Sequence, residues 1–118
     1  MSNDALSFDE YQEQSGRTAL PISPIEPGME RAFYNAMALA GEAGEIVGKM
    51  SKAMRDNGGA ISDELWRDLL KESGDVQWHL TQFVESIGAN ISAVADMNLA
   101  KLRSRQERGV LGGSGDNR

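Results

Sequence analysis

The chain has 118 residues, a formal net charge of −6 and no cysteine. This length fits one domain, and the 40% hydrophobic content is enough for a modest core. The negative charge argues against a nucleic-acid backbone or an anionic membrane as the main partner. The lack of cysteine excludes disulfides, thiol nucleophiles and thiolate metal sites. Nothing resembles a signal peptide or a membrane span of about 20 apolar residues, so we expect a cytosolic protein.

The sequence predicts one all-α domain over residues 1–118. All three prolines lie between Pro21 and Pro27, and the β-branched alternation typical of strands is missing. The prolines and small residues of the segment 18–28 predict a loop that could lie across a cleft.

A first, short helix is predicted after a polar leader, residues 1–7. Ser7 can cap this helix together with Glu10, three residues later. Phe8 and Tyr11 share one of its faces, where they either pack against the core or line a ligand pocket.

Three longer helices are predicted after the loop, from the positions of capping residues and glycines. The second begins near Gly28 or Met29 and ends at Arg55, the third begins at Ser62 or Asp63 and ends near Ile87, and the fourth begins at Ser92 and ends near Arg108. The third helix is apolar on more than one side, which one four-helix unit cannot easily cover. We therefore predict that the bundle oligomerises, with Trp78 at a subunit interface.

An acidic pattern occurs in the second helix and returns in the third. Glu42 and Glu45 correspond to Glu72 and Asp75, and the apolar residues around each pair also match. Because each helical residue advances by about 100°, both acid pairs flank a buried apolar stripe. Packing the two stripes together would bring the four carboxylates close to one another.

Such a cluster needs a partner, because two carboxylates about 5 Å apart repel by roughly 3 kcal/mol at an effective dielectric near 20. Oxygen ligands of this kind select hard divalent cations such as Mg²⁺ or Mn²⁺. Gly44 and Gly74 lie inside the two pairs, although each costs about 1 kcal/mol relative to alanine in a helix. Their presence suggests close approach of a backbone, a ligand or a neighbouring helix.

Several cations follow the acidic pairs along the chain. Lys49 can form an ordinary helical ion pair with Glu45, which leaves Lys52 as the better candidate for a phosphate ligand. Asn98, Lys101 and Arg105 lie on one stripe of the fourth helix, as expected for a helix that passes from the core into an anion site. The alternative for this stripe is a solvated last turn favoured by the helix dipole.

The only histidine, His79, lies near the carboxylate edge of the third helix. It could serve as a ligand or an acid-base group, but a packed or substrate-edge role is the more common one for such a residue. The Gly-rich tail, residues 109–118, lacks the Gly-Lys-Ser/Thr ending of a P-loop. It could order over the site or stay mobile.

These motifs together resemble the MazG-like nucleotide pyrophosphohydrolases of the all-α NTP pyrophosphatase superfamily. The resemblance rests on two acid pairs separated by a helical interval, on a lysine beyond the first pair and on Asn98-x-x-Lys101-Leu102 in the last helix. It extends to the N-terminal Phe8-Asp9-Glu10-Tyr11-Gln12 and the C-terminal Arg105-Gln106-Glu107-Arg108-Gly109, and so covers most of the chain.

The resemblance implies a four-helix MazG-like bundle that forms dimers or dimers of dimers. It implies that Mg²⁺ or Mn²⁺ is bound by the four acids, Glu42, Glu45, Glu72 and Asp75. It also implies triphosphate contacts from Lys52, Asn98, Lys101 and Arg105. Where many relatives have an aromatic residue after the tryptophan, this chain has His79, which leaves the base preference open.

From this resemblance we expect hydrolysis of a nucleoside triphosphate, preferably a deoxynucleotide, to the monophosphate and pyrophosphate. Glu45 is our candidate for the group that orients or deprotonates the attacking water. Lys52, Lys101 and Arg105 would stabilise charge on the leaving pyrophosphate. Two alternatives stay open: hydrolysis of phosphoribosyl-ATP or a nucleoside diphosphate, and a non-catalytic helical module whose acids bind metal to hold an oligomer together.

Overall fold

The computed structural model describes residues 5–22 and 29–118. These residues form four α-helices, namely α1 (Phe8–Ser15), α2 (Glu30–Asn57), α3 (Asp63–Ser86) and α4 (Ile91–Glu107), and a single 3-10 turn at Gly16–Thr18 that follows α1. No strand occurs in the described ranges. The prediction of an all-α chain with four helices is therefore confirmed there. The first four residues of the predicted leader and residues 23–28 of the predicted loop lie outside these ranges.

Side-chain caps fix where the helices begin. The backbone N–H of Glu10 donates to Ser7 Oγ at 3.1 Å and the N–H of Ser7 donates to Glu10 Oε2 at 2.8 Å, which confirms the predicted capping box. Ser62 caps α3, as predicted. Asn90, rather than Ser92, caps α4, because its Oδ1 accepts from the N–H of Ala93 at 2.8 Å.

The ends of the long helices differ from prediction by one or two residues. α2 continues past Arg55 to Asn57 and ends at Gly58, whose positive φ of 59° closes the helix. α3 ends at Ser86, with Ile87 as its C-cap. Gly88 follows with φ of 80°, as expected for a residue that reverses the chain after a helix.

The two longest helices, α2 and α3, pack against each other as an antiparallel hairpin. Asn35 Oδ1 lies 3.1 Å from His79 Nδ1 near one end of the pair, and Lys49 Nζ lies 3.9 Å from Asp68 Oδ2 towards the other. In this register the middle of α2 faces the middle of α3. The two acidic motifs are therefore brought together by the hairpin itself.

α1 crosses α3 and α4 and is attached to them by polar side chains. Gln12 accepts from the N–H of Ile91 at 2.8 Å and donates to the carbonyl of Ala89 at 3.1 Å. The buried side chain of Gln82 donates to Ser15 Oγ at 2.8 Å. These contacts hold α1 beside the hairpin, next to the face that carries the acids.

The fold is open for a chain of this length. The radius of gyration is 17.6 Å, whereas a compact chain of 118 residues has a value of about 13 Å. The accessible surface is 8747 Å², compared with about 6,300 Å² for a folded monomer of this mass. Large apolar side chains such as Phe33, Met37, Met54 and Met97 are exposed. None of the helices in the described ranges combines the length and apolar character that a membrane span requires.

Candidate functional site

A polar cleft lies along the middle of the α2–α3 hairpin. Its volume is about 540 Å³. Its lining comprises Tyr34, Ala38, Gly41, Glu42 and Glu45 from α2, and Glu72, Asp75 and His79 from α3. All four predicted acids therefore border one cleft, together with the only histidine.

Three of the four acids form a tight cluster. Glu42, Glu72 and Asp75 each offer one carboxylate oxygen, and these oxygens all lie within 4.8 Å of one another. Glu45 borders the same cleft one helical turn beyond Glu42. The antiparallel register accounts for this geometry, since it sets one acid motif directly against the other.

The cluster perturbs the pKa of Glu72. Desolvation, then a hydrogen bond with Glu42 and the negative charges of Glu42 and Glu45, raise the pKa of Glu72, while Lys49 opposes the shift. A raised carboxyl pKa means that the folded chain holds a proton there more tightly than the unfolded chain does. Glu72 therefore favours its protonated form more than a free glutamate does.

The donor set matches a hard divalent cation. Mg²⁺ and Mn²⁺ prefer carboxylate oxygens, and they leave coordination positions for water and phosphate oxygens. Three convergent carboxylates with a fourth one turn away supply such ligands. The types of ligand atom and their spacing therefore suit Mg²⁺ or Mn²⁺. Metal binding itself stays a prediction.

His79 lines the cleft, and the buried side chain of Asn35 lies behind its ring. Asn35 is only 2% exposed, and its Nδ2 donates to the carbonyl of Arg31 at 2.9 Å. Asn35 Oδ1 is thereby left to accept from His79 Nδ1–H at 3.1 Å. The neutral imidazole then carries no proton on Nε2, so His79 offers an acceptor on its other side.

Tyr11 of α1 also belongs to the surroundings of the acids. Burial and, secondarily, the negative charge of Asp75 raise the pKa of its hydroxyl. Phe8, on the same helix, instead lines an apolar groove between α3 and α4 with Val76 and Ile91. Phe8 is 47% exposed, so neither the core-packing nor the ligand-pocket alternative is decided for it, and Tyr11 lies nearer to the cleft.

Lys49 and Lys52 lie outside the acidic cleft, towards the α2–α3 turn, where both line a separate groove. Lys49 forms its ion pair with Asp68 across the hairpin at 3.9 Å, so the predicted pairing with Glu45 is wrong. The side chain of Lys49 reaches across the hairpin to α3 and does not run along α2 towards Glu45. Lys52 has no ion-pair partner within 4.0 Å among the described residues. It lies two helical turns, about 10 Å, beyond Glu45.

Asn98 and Lys101 line a groove on α4 with Val94 and Met97. Asn98 also lines the apolar groove between α3 and α4, together with Ser73 and Val76. Neither Asn98 nor Lys101 is among the residues that line the acidic cleft of the same chain.

Arg105 and Lys101 are both engaged by the C-terminal tail. Arg105 is only 5% exposed, and its Nη2 donates to Asp116 Oδ1 at 3.2 Å and to the carbonyl of Asp116 at 3.1 Å. Lys101 Nζ donates to the same Oδ1 at 3.3 Å. The two cations lower the pKa of Asp116, with Lys101 the larger cause. The tail thus orders against α4 in this chain, and its carboxylate lies where we predicted an anion.

Trp78 contacts the N-terminal part of its own chain, since its Nε1–H donates to Thr18 Oγ1 at 3.0 Å and to the carbonyl of Ser15 at 3.2 Å. Trp78 is half-buried in the single chain, and its place at a subunit interface stays a prediction. For Gly44 and Gly74, an added Cβ would meet no atom within 4 Å, so no neighbouring helix of this chain approaches them closely.

Neither Asn35 nor Tyr34 was predicted from the sequence to belong to the site. A single asparagine inside an apolar helical segment was a signal for Asn35, because a buried amide needs partners. Tyr34 gave no comparable signal, since an aromatic residue at a helical position is ordinarily a packing residue.

Comparison with known proteins adds one relative. The chain is 43% identical to the Gene 37 protein of Mycobacterium phage L5 over 114 residues, which span 96% of this chain and 100% of that protein. The chain belongs to the Gene 37 protein family. No family model matches the chain, and no solved structure matches it. The Gene 37 protein carries no activity in its name, so the chemistry of this family has to be inferred from the site.

Proposed function

We propose that this protein is a metal-dependent nucleoside triphosphate pyrophosphohydrolase of the MazG-like type. The observation that carries the proposal is the convergence of Glu42, Glu72 and Asp75 within 4.8 Å on two antiparallel helices. Oxygen ligands in this arrangement suit Mg²⁺ or Mn²⁺, and these ions are the usual partners of substrate phosphates. The substrate is a nucleoside triphosphate, preferably a deoxynucleotide, and the products are the monophosphate and pyrophosphate.

In this proposal the carboxylates of the cluster hold the cation. A divalent cation, when bound, neutralises phosphate oxygens and acidifies water. Glu45, at the edge of the cleft, accepts a proton from the attacking water and orients it towards phosphorus. The P–O bond to the leaving group breaks as the new P–O bond forms, and no covalent enzyme intermediate is required.

The remaining ligands come from a second copy of the chain. Asn98 and Lys101 line a groove that shares no residue with the acidic cleft of their own chain. The chain also exposes about 2,400 Å² more surface than a folded monomer of its mass, which exceeds the roughly 800 Å² that each partner buries in an interface of standard size. We infer a homodimer or homotetramer in which Lys52, Lys101 and Arg105 contact the triphosphate and stabilise the leaving pyrophosphate.

Replacement of Glu45 or Asp75 by alanine tests the proposal. Each variant is expected to lose at least about a hundredfold in kcat, as general-base and electrostatic contributions of this kind are large. Its helical circular dichroism signal is expected to stay unchanged. Glu13→Ala, at an exposed position of α1 that pairs only with Arg17, is the matched control. Full activity in both Glu45→Ala and Asp75→Ala would refute the assignment.

Product analysis separates this function from its two alternatives. Pyrophosphate release from a panel of triphosphates supports the proposal, and release from phosphoribosyl-ATP alone favours the narrower substrate. Orthophosphate release from a diphosphate favours the diphosphate hydrolase. Metal-dependent assembly without turnover, and without a nucleotide-induced rise in Tm, would identify a non-catalytic oligomerisation module.

A further inference from the structure

The outer surface of α2 carries a stripe of apolar and small residues, which we call the α2 stripe. Its members follow one another at alternating intervals of four and three residues, and all of them are exposed in the single chain: Phe33, Met37, Ala40, Gly44, Val47, Ser51 and Met54. The stripe contains no charged residue and runs for about 31 Å along the helix. Its intervals average about 3.5 residues, which is the repeat of a helix that packs along its length against a second helix.

The α2 stripe lies on the side of α2 that points away from α3. Asn35, Glu42 and Lys49 follow one another at intervals of seven residues on the inner side, where each of them contacts α3. With about 100° per residue, this inner row lies about 170° from the middle of the stripe. The hairpin therefore uses one side of α2 and leaves the other uncovered, so that Val47 is 67% exposed and Met54 is 70% exposed.

The sizes of the side chains on the stripe suit a second copy of the same stripe that runs in the opposite direction. Large apolar side chains lie at both ends, Phe33 and Met37 at one end and Met54 at the other, whereas Ala40 and Gly44 lie in the middle. An added Cβ at Gly44 would meet no atom within 4 Å, so the middle is open to an approaching helix. In an antiparallel pair, small residues meet small ones at the centre and each large end meets the other large end. Such a patch is complementary to itself, as a two-fold interface requires.

The charges along α2 favour the same direction of pairing. Acidic residues prevail up to Glu45 and basic residues prevail after it, in the order Glu30, Arg31, Glu42, Glu45, Lys49, Lys52, Arg55 and Asp56. Antiparallel pairing sets the acidic part of one helix beside the basic part of the other, whereas parallel pairing would set like charges side by side. Exposed ion pairs contribute little free energy one by one. The charges therefore select the direction, and the apolar side chains supply the affinity.

The open fold leaves enough surface for this contact. The chain exposes about 2,400 Å² more than a folded monomer of its mass, and each partner in an interface of standard size buries roughly 800 Å². A contiguous exposed patch of large apolar side chains is typical of an interaction surface.

We propose that the α2 stripe is the interface by which two copies of this chain associate, with their α2 helices packed antiparallel and Gly44 near the two-fold axis. The occupant of this face is thus a second copy of the chain. The inference deepens the proposed function only in giving its oligomer a contact surface, because the stripe takes no part in the chemistry of the acidic cleft.

Introduced cysteines can map the pairing, because the chain has none of its own. The variants are Phe33→Cys, Met54→Cys and the double variant with both changes, and a short bismaleimide joins thiols that lie close together. The double variant is expected to form crosslinked dimers at least tenfold faster than either single variant. The reason is that Phe33 of one chain meets the Met54 end of the other, whereas each position lies roughly 30 Å from its own counterpart. Glu13→Cys, at an exposed position of α1, gives the background rate.

Two crosslinking results would overturn the proposal. One is a rate for the double variant that does not exceed that of Glu13→Cys, and the other is equal rates for the double and the single variants, which would indicate parallel or random contact. The measurement needs neither metal nor nucleotide. The expected pattern without any hydrolysis would support the interface and refute the proposed activity alone, whereas hydrolysis without the pattern would leave the activity standing and remove the interface.

Val47→Glu tests the stripe without chemical crosslinking. It places an unpaired charge in the contact, so the Kd for association in sedimentation equilibrium is expected to rise at least about a hundredfold. The helical circular dichroism signal is expected to stay unchanged, because Val47 is exposed in the single chain. Ile61→Glu makes a comparable change at a 50% exposed position outside the stripe and is expected to associate like the wild type. A wild type that stays monomeric, or a folded Val47→Glu that associates as tightly as the wild type, would contradict the proposal.

Discussion

Replacement of Glu72 by glutamine should have opposite effects with and without metal. The pKa of Glu72 is raised in the folded chain by desolvation and by its neighbour Glu42. A group that binds its proton more tightly in the folded state than in the unfolded state makes stability fall as pH rises from its ordinary pKa through the raised one. The neutral glutamine cannot lose a proton and avoids this loss, so it is expected to raise the Tm of the metal-free protein.

With metal present, the same substitution is expected to lower the Tm relative to wild type. A cation at a hundred times its Kd stabilises a folded protein by about 2.7 kcal/mol. For a chain of 118 residues, that free energy corresponds to a rise in Tm of about 10 °C. Glu72→Gln removes one of three clustered ligands and should lose most of this rise.

Differential scanning fluorimetry at pH 7, with and without Mn²⁺, measures both effects. Glu107→Gln at the end of α4 is the matched control, because it makes the same chemical change far from the cleft. A lower Tm for metal-free Glu72→Gln, together with an undiminished Mn²⁺ shift, would refute the reasoning that Glu72 is a strained metal ligand.

Three further predictions concern the cleft, the helix surface and the tail. The affinity for Mn²⁺ should fall as pH decreases, because protons compete with the cation for Glu72, and the fall should start above the ordinary pKa of a glutamate. Isothermal titration calorimetry at several pH values measures this affinity, and an affinity that does not depend on pH would contradict the prediction. Gly44→Ala should raise the free energy of unfolding of an isolated chain by about 1 kcal/mol, since the added Cβ meets no atom within 4 Å. A lower Tm together with loss of the oligomer in analytical sedimentation would instead show that a second copy packs against Gly44. Asp116→Asn should lower the KM for the triphosphate by up to about fivefold, because it removes the negative charge that pairs with Lys101 and Arg105, although the tail carbonyls still accept from Arg105. An unchanged KM would contradict competition between this carboxylate and the substrate phosphates.

The helices and the acidic cleft could be predicted because both depend on local pattern. Caps such as Ser7 and Ser62 act within three residues, and the breaks around Gly58 and Gly88 require glycine for conformational reasons. The recurrence of one acidic motif in two helices joined by a short turn leaves an antiparallel hairpin as the simplest arrangement. That arrangement sets one motif against the other.

The parts that were missed depend on contacts between distant segments. The hydrogen bond from Trp78 to Thr18 joins the third helix to a turn 60 residues earlier in the chain, and helical periodicity gives no information about it. The pairing of Lys49 with Asp68 instead of Glu45 depends on how α2 is rotated towards α3. Likewise, the contact of Arg105 with Asp116 arises from the path of a glycine-rich tail, for which helical periodicity gives no information.

A titration with Mn²⁺ monitored by electron paramagnetic resonance tests the central claim most directly. The carboxylate cluster is expected to convert the free-ion signal to a bound one at a defined stoichiometry in the wild-type protein. The double variant Glu42→Gln, Asp75→Asn is expected to leave the free-ion signal unchanged at the same concentrations while retaining its helical content. Equal Mn²⁺ binding by the wild type and by a folded double variant would contradict the account.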